Sequence, residues 1–234
     1  MKPWEHLGIA RGMRAQLAQR RQRIAAGEKP LGWKMGFGAS AALKKLRISA
    51  PISGYLMQNA LLQSGALVNV KGWTQLVAEP EIAVQLGADL AAGSNAAAAS
   101  AAIASLTPAI ELADMDLLAT PDNVDAVLAG NIFQRHVLLG GQSRAGGDTA
   151  GLSSRVFRRG MLAAETSTPE ALTGKLPDLL MHLADLLDAF GERLQAGDLV
   201  ICGSTVPPPL IEADEVDFTH AIDPIGEVSV RFTC

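Results

Sequence analysis

The strongest constraint on this chain is a proline set between two glutamates in an otherwise apolar run, Ala78-Glu-Pro-Glu-Ile-Ala-Val-Gln-Leu86. The run reads as a β-strand, and the strand period of two points Glu79 and Glu81 to the same face. Pro80 has no N–H to donate to a ladder, which predicts an edge or an irregular place in the sheet. Two carboxylates side by side in a half-buried site raise each other's pKa and resist burial, and a hard divalent cation neutralises them. An exposed strand face is the commoner setting for a Glu-x-Glu pair, so spacing alone leaves both readings open.

A second apolar strand is predicted at 108–113, where Pro-Ala-Ile-Glu-Leu carries Glu111 among residues that favour the interior. A salt bridge would also satisfy that carboxylate. Three carboxylates, with waters completing an octahedron, suit Mg²⁺ or Mn²⁺. Lys34 stands between glycines in Gly32-Trp-Lys-Met-Gly36. It reads either as a snorkelling surface lysine or as a buried ammonium that orients a substrate carboxylate, steadies a developing enolate and moves protons.

The rest of the chain alternates helical and strand patterns without strict βαβ order, which predicts an α+β fold. Residues 4–27 place Leu7, Ile9, Met13, Leu17 and Ile24 at helical spacing, with Gly27 as a stop. Strands are predicted at 31–38, 65–70 and 133–139, and at 155–163 with a turn at Arg159-Gly160. Short helices are predicted at 41–46 and 96–105, and a long one at 177–194 that packs on a sheet. A buried strand at 198–203 precedes a hairpin of 216–222 and 228–232.

At 234 residues with a net charge of −4, the chain is long enough for one large core and offers no strong field for nucleic acid or an anionic membrane. Arg20-Arg21-Gln22-Arg23 reads as a solvated helix face. Two cysteines, Cys202 in an apolar run and Cys234 at the end, make neither a disulfide framework nor a thiolate zinc site. The absence of a long apolar stretch predicts a soluble, cytoplasmic protein. His136, His182 and His220 read as structural histidines, and Ser204 lacks nucleophile-elbow spacing.

Taken together, Gly32-Trp-Lys-Met-Gly36, Glu79-Pro-Glu-Ile-Ala83, Pro108-Ala-Ile-Glu111, Asn131 with Val137-Leu-Leu-Gly140, and 194–204 (Leu-Gln-Ala-Gly-Asp-Leu-Val-Ile-Cys-Gly-Ser) resemble the fumarylacetoacetate hydrolase superfamily. The similarity is to its branch of 2-hydroxypenta-2,4-dienoate (2-keto-4-pentenoate) hydratases and 4-oxalocrotonate decarboxylases, enzymes of aromatic catabolism. The resemblance implies a mixed β-roll with flanking helices, an N-terminal helical segment at 1–30 and a catalytic domain at 31–234. It implies Mg²⁺ or Mn²⁺ on Glu79, Glu81 and Glu111, with Lys34 at the substrate and Ser204 lining the pocket. It also implies homo-oligomers, partnership with a decarboxylase of the same pathway, and a 2-oxo or 2-hydroxy acid substrate.

The chemistry implied is hydration of a 2-hydroxy-2,4-dienoate. Decarboxylation or carbon–carbon hydrolysis of another 2-oxo acid is the alternative, and a non-catalytic metal-binding partner subunit is the third reading. The chain departs from the hydratase pattern at Pro51-Ile-Ser-Gly54, where Ile52 stands in place of an acid, at Gly174-Lys-Leu, and at Glu165-Thr-Ser-Thr-Pro169. The general base therefore does not carry over.

Overall fold

The two carboxylate-bearing runs form the longest strands of the protein, and they pair antiparallel along almost their whole length. The structure, a computed structural model, describes residues 2–116 and 119–233, so Cys234 lies outside the described residues. In chain order the elements are α1 (Leu7–Ala25), β1 (Pro30–Gly36), α2 (Ser40–Leu46), β2 (Ile52–Met57), β3 (Leu61–Gln63), β4 (Ala66–Asn69), β5 (Leu76–Leu86), α3 (Ala96–Ala102) and β6 (Ile103–Asp114). They continue with α4 (Val124–Ala129), β7 (Gln134–Leu139), β8 (Arg144–Ala145), β9 (Ser153–Arg158), β10 (Met161–Thr166), α5 (Leu176–Asp188), β11 (Leu199–Ser204), β12 (Asp217–Asp223) and β13 (Gly226–Thr233).

Among the described residues the strands make two mixed sheets, which bears out the α+β expectation. One runs β2-β1-β11-β5-β6-β7-β3 with β8 added beside β6, and the other runs β10-β9-β12-β13-β4. Pairs β1–β11, β3–β7 and β4–β13 are parallel, and the rest are antiparallel. The larger sheet curls. Lys34 on β1 bonds Glu111 on β6 although two strands stand between them, a separation of about 14 Å along a flat sheet. Leu56, Ala83, Ala109, Val137, Leu199 and Ile201 fill one end of the concave side. On the convex side, Ala78, Ile110 and Leu112 pack against Val156, Phe218, Val228 and Val230 of the second sheet.

The helices close the outside of the larger sheet. Ile9, Met13 and Leu17 of α1 join the core that also holds Trp33, Ile52 and the buried stripe of α5. The arginine cluster on α1 is neutralised within the chain: Arg20 and Arg21 reach Glu192 at 3.0 and 3.2 Å, and Arg23 reaches Glu28 at 2.7 Å. Among the described residues no helix is long and apolar enough to cross a membrane.

Two expectations are corrected, and a third, an edge or an irregular place for Pro80, is met in its second form. The helix predicted at 96–105 ends at Ala102, and the strand predicted to begin at 108 begins at Ile103, because ladder pairing with Gln85 and Leu86 overrides the helix preference of the alanine run. The helix predicted to reach 194 stops at Asp188; Gly191 adopts a φ of +77°, and Leu194 bridges to Leu90. Pro80 sits in a central strand rather than at an edge, and its carbonyl accepts the Thr205 N–H at 2.8 Å. Residues of an antiparallel hydrogen-bonded pair exchange two bonds, so the proton that Pro80 lacks is the one owed to Thr205. That place is irregular, since the β5–β11 register shifts between Ile201 and Ser204, and β11 ends there.

Candidate active site

Cross-strand register assembles the site. Glu79 stands directly opposite Glu111, and Glu81 lies two residues along β5 on the same face, opposite Ala109. Lys34 is opposite Ile201 on β1–β11, so it also faces the concave side. The structure thus brings together all five residues singled out from the sequence: Lys34, Glu79, Glu81, Glu111 and Ser204.

Lys34, Glu81 and Glu111 are buried to 1%, 0% and 0% exposure, while Glu79 is half-buried at the mouth. The Lys34 Nζ donates to Glu111 Oε1 and to the Ile132 carbonyl at 3.2 Å. Glu81 Oε2 accepts the Gly203 N–H at 2.6 Å, and the Ser204 hydroxyl donates to Glu79 Oε2 at 3.4 Å. Gly203 has a φ of +90°, and a Cβ there would meet Thr173 Cγ2 at 3.0 Å, so glycine is what lets the 165–175 segment lie over the carboxylates.

Two carboxylate oxygens, Glu81 Oε1 and Glu111 Oε2, are buried without any hydrogen-bond partner. Burial, reinforced by Glu111 and Glu79, drives the Glu81 carboxyl well above its ordinary pKa against the opposing pull of Lys34 and the Gly203 N–H. Burial lifts Glu111 to about 8, with Lys34 opposing and Glu79 adding to it. Burial works against the Lys34 charge, but Glu111, Glu79 and Glu81 outweigh it and hold its proton above the ordinary lysine value. A native interior rarely leaves such charges unmatched.

Among the described residues, no three His, Cys, Asp or Glu side chains are gathered closely enough to grip an ion as they stand; the Lys34 ammonium holds one oxygen of Glu111 instead. The donor set still fits a hard cation. It is all oxygen, shares one face of two paired strands, and includes the two partnerless atoms.

A cavity of about 220 Å³ opens onto this cluster. Lys34, Glu79, Gly203 and Ser204 form its polar end, and Phe37, Val77, Met115, Ile132, Phe133 and Leu172 belong to its apolar wall. Among the described residues that line it, Lys34 is the only cation. Ile52 is 1% exposed, opposite Gly36 on β1, and is not among the residues that line the cavity. The histidines stand elsewhere. His136 stacks on Trp73, His182 bonds the Pro51 carbonyl at 2.9 Å, and His220 is enclosed between the sheets. Sequence reasoning missed the Ile132 carbonyl and the Gly203 N–H, which are backbone groups; the signal available was the glycine before Ser204.

A sequence profile of the fumarylacetoacetate (FAA) hydrolase C-terminal family matches residues 33–232. The chain is 29% identical over 219 residues to a 2-hydroxyhexa-2,4-dienoate hydratase of Comamonas testosteroni, covering 91% of this chain and 82% of that one. It is 28% identical over 182 residues to a 4-oxalocrotonate decarboxylase of a Pseudomonas species, covering 78% and 71%. The solved structure of 4-oxalocrotonate decarboxylase from Pseudomonas putida G7, complexed with magnesium and adipate, superimposes with a TM-score of 0.84 at 25% identity over 93% of this chain and 83% of that one.

Proposed function

Because the chain belongs to the fumarylacetoacetate hydrolase family, we propose that it is a divalent-metal-dependent hydro-lyase that adds water to a 2-hydroxy-2,4-dienoate. Its relatives are hydratases and decarboxylases, and the composition of the cavity wall favours the first. A dienoate monoacid has one charged end and a short hydrocarbon tail, which matches a cavity with its only cation at one end and an apolar wall beyond. The diacid that a 4-oxalocrotonate decarboxylase takes would leave a second carboxylate unpaired in that wall.

In this reading Glu79, Glu81 and Glu111 hold Mg²⁺ or Mn²⁺, and the partnerless oxygens of Glu81 and Glu111 support it. When bound, the ion supplies Lewis-acid polarisation of a 2-oxo group and its neighbouring carboxylate. Lys34 offsets the excess negative charge and presents a donor to the substrate. Ser204 lines the polar end and restrains Glu79. Leu172 and Phe37 keep bulk water from the tail. The same reading has the protein acting on small 2-oxo or 2-hydroxy acids as a homo-oligomer in the cytoplasm.

Decarboxylation is the second reading, and Ile52 favours it: a buried apolar side chain replaces the acid that would move a proton during hydration. Incubation with Mg²⁺ or Mn²⁺, with and without chelator, and weighing of the products by mass spectrometry separates the two. A monoacid dienoate that gains one water supports hydration. A diacid that loses carbon dioxide moves the assignment to decarboxylation, and no chelator-sensitive product from either removes both.

A further inference from the structure

Residues Asn131, Ile132 and Phe133 lie consecutively in the left-handed region, with φ of 54°, 51° and 64°. That conformation is unfavourable for any residue with a Cβ, and most of all for a β-branched one; it persists where the surroundings over-determine it. Here the Asn131 side chain does so. Its Oδ1 accepts the Tyr55 N–H at 2.8 Å, and its Nδ2 donates to the Tyr55 carbonyl at 2.9 Å, so the amide pairs with β2 as another strand would.

The strained turn aims the next carbonyl at the site, where Ile132 O accepts from Lys34 Nζ. Gly54 packs between the two. A Cβ there would lie 2.9 Å from Asn131 Oδ1 and 2.9 Å from Lys34 Cγ, so amide, glycine and lysine stem leave each other no slack. An ammonium has three donors. With one on Glu111 and one on Ile132, the third is left for the cavity.

We infer that Asn131 is a positioning residue: by pinning the left-handed turn to β2 it keeps the Ile132 carbonyl on the Lys34 ammonium, and so fixes the direction of the donor that Lys34 offers to a 2-oxo acid. This rests on the reading of Lys34 as a substrate-orienting group. None of the three glutamates is among the bonds that Asn131 makes, so metal uptake is separable from it.

The test titrates 2-oxopentanoate, a saturated monoacid, into the Mg²⁺-loaded full-length protein by calorimetry, comparing wild type with Asn131→Ala, Asn131→Gly and Asn131→Asp. Glycine keeps the left-handed turn accessible, so that variant isolates the amide clamp. The Ala and Gly variants weaken 2-oxopentanoate by about tenfold or more, while Mg²⁺ affinity measured alone stays within about threefold. Asn131→Asp, which keeps an acceptor for the Tyr55 N–H, loses less. If Asn131→Ala does not fold, the Gly and Asp variants carry the comparison. Wild-type affinity in Asn131→Gly overturns the inference, as does an equal loss of Mg²⁺ and 2-oxopentanoate. A wild type that takes up Mg²⁺ but binds no 2-oxo acid overturns it from the other side, by removing the role of Lys34 while leaving the metal site standing.

Discussion

Two buried polar clusters lie on opposite faces of the β5–β6 pair, and they differ in how completely they are satisfied. On the convex side, His220 Nδ1 donates to Ala109 O at 2.9 Å, and Nε2 of the neutral ring accepts from Ser154 Oγ at 3.0 Å. Ser154 Oγ in turn accepts from Thr205 Oγ1 at 2.7 Å, and Thr205 Oγ1 lies 3.2 Å from Pro80 O. On the concave side, the ionisable groups Lys34, Glu81 and Glu111 are shut into the interior, and one oxygen of each carboxyl has no partner. A closed neutral network stabilises two sheets against each other. An open one built of ionisable groups is unfavourable for the empty fold and makes sense where a ligand completes it.

The sharpest way to break this contrast is Glu81→Gln. Metal-dependent turnover falls by about 10³-fold or more, while the melting temperature stays level or rises because a buried ionisable group is gone. Retained turnover would show that the partnerless oxygens are not ligands. Lys34→Met comes next: kcat falls by about 10²-fold, and calorimetry finds Mg²⁺ affinity unchanged or tighter, since Glu111 loses its competing cation. Unchanged kcat would return Lys34 to a purely structural part.

His220→Phe reverses the pattern. Unfolding in urea shows a loss of about 2–3 kcal/mol, with kcat and metal affinity within about threefold. A large drop in kcat in the folded variant would mean that the closed cluster also shapes the site.

The smallest effect is in the pH dependence of the metal-free protein, because two slopes oppose. Burial lowers His220 to about 4, against the pull of its bond to Ala109 O. The unfolded chain therefore binds more protons below about 6.5, and stability is lost as pH falls toward 4. Glu111 is raised to about 8, so the folded state holds a proton that the unfolded chain releases above about 4.5, and stability is lost as pH rises toward 8. Melting curves of His220→Phe should lack the acid slope, and those of Glu111→Gln should show a shallower alkaline one, with Glu81, also raised by burial, supplying the rest. Saturating Mg²⁺ should remove the alkaline one, which identical curves with and without the ion would contradict.

Much of this was legible in the residues, for a physical reason. β5 and β6 announce themselves because a carboxylate in an apolar strand is anomalous, and the β9–β10 turn because Arg159-Gly160 suits a tight reversal; both residues adopt positive φ, 51° and 71°. β2 escaped because all six of its residues are buried, so it shows no alternation, and α4 because six residues carry too little periodicity. Within the site, side chains were visible and backbone groups were not. Ile132 matters through its carbonyl, which every residue has, and only its left-handed φ, a property of the fold, sets it apart.

A β-sheet is a lattice that invites extension, since each new hydrogen bond positions the next. Pro80 is a stop written into that lattice by one absent proton. Unable to complete its exchange with Thr205, it releases β11 after Ser204. The released segment brings Pro208 to the cavity wall and then rejoins β5: Pro209 O accepts the Ala78 N–H at 3.3 Å, Leu210 bridges to Val77, and the Ile211 N–H donates to Leu76 O at 2.9 Å. The opening between scaffold and pocket thus lies opposite a single imide nitrogen, a dropped stitch in a ladder that is continued on either side of it.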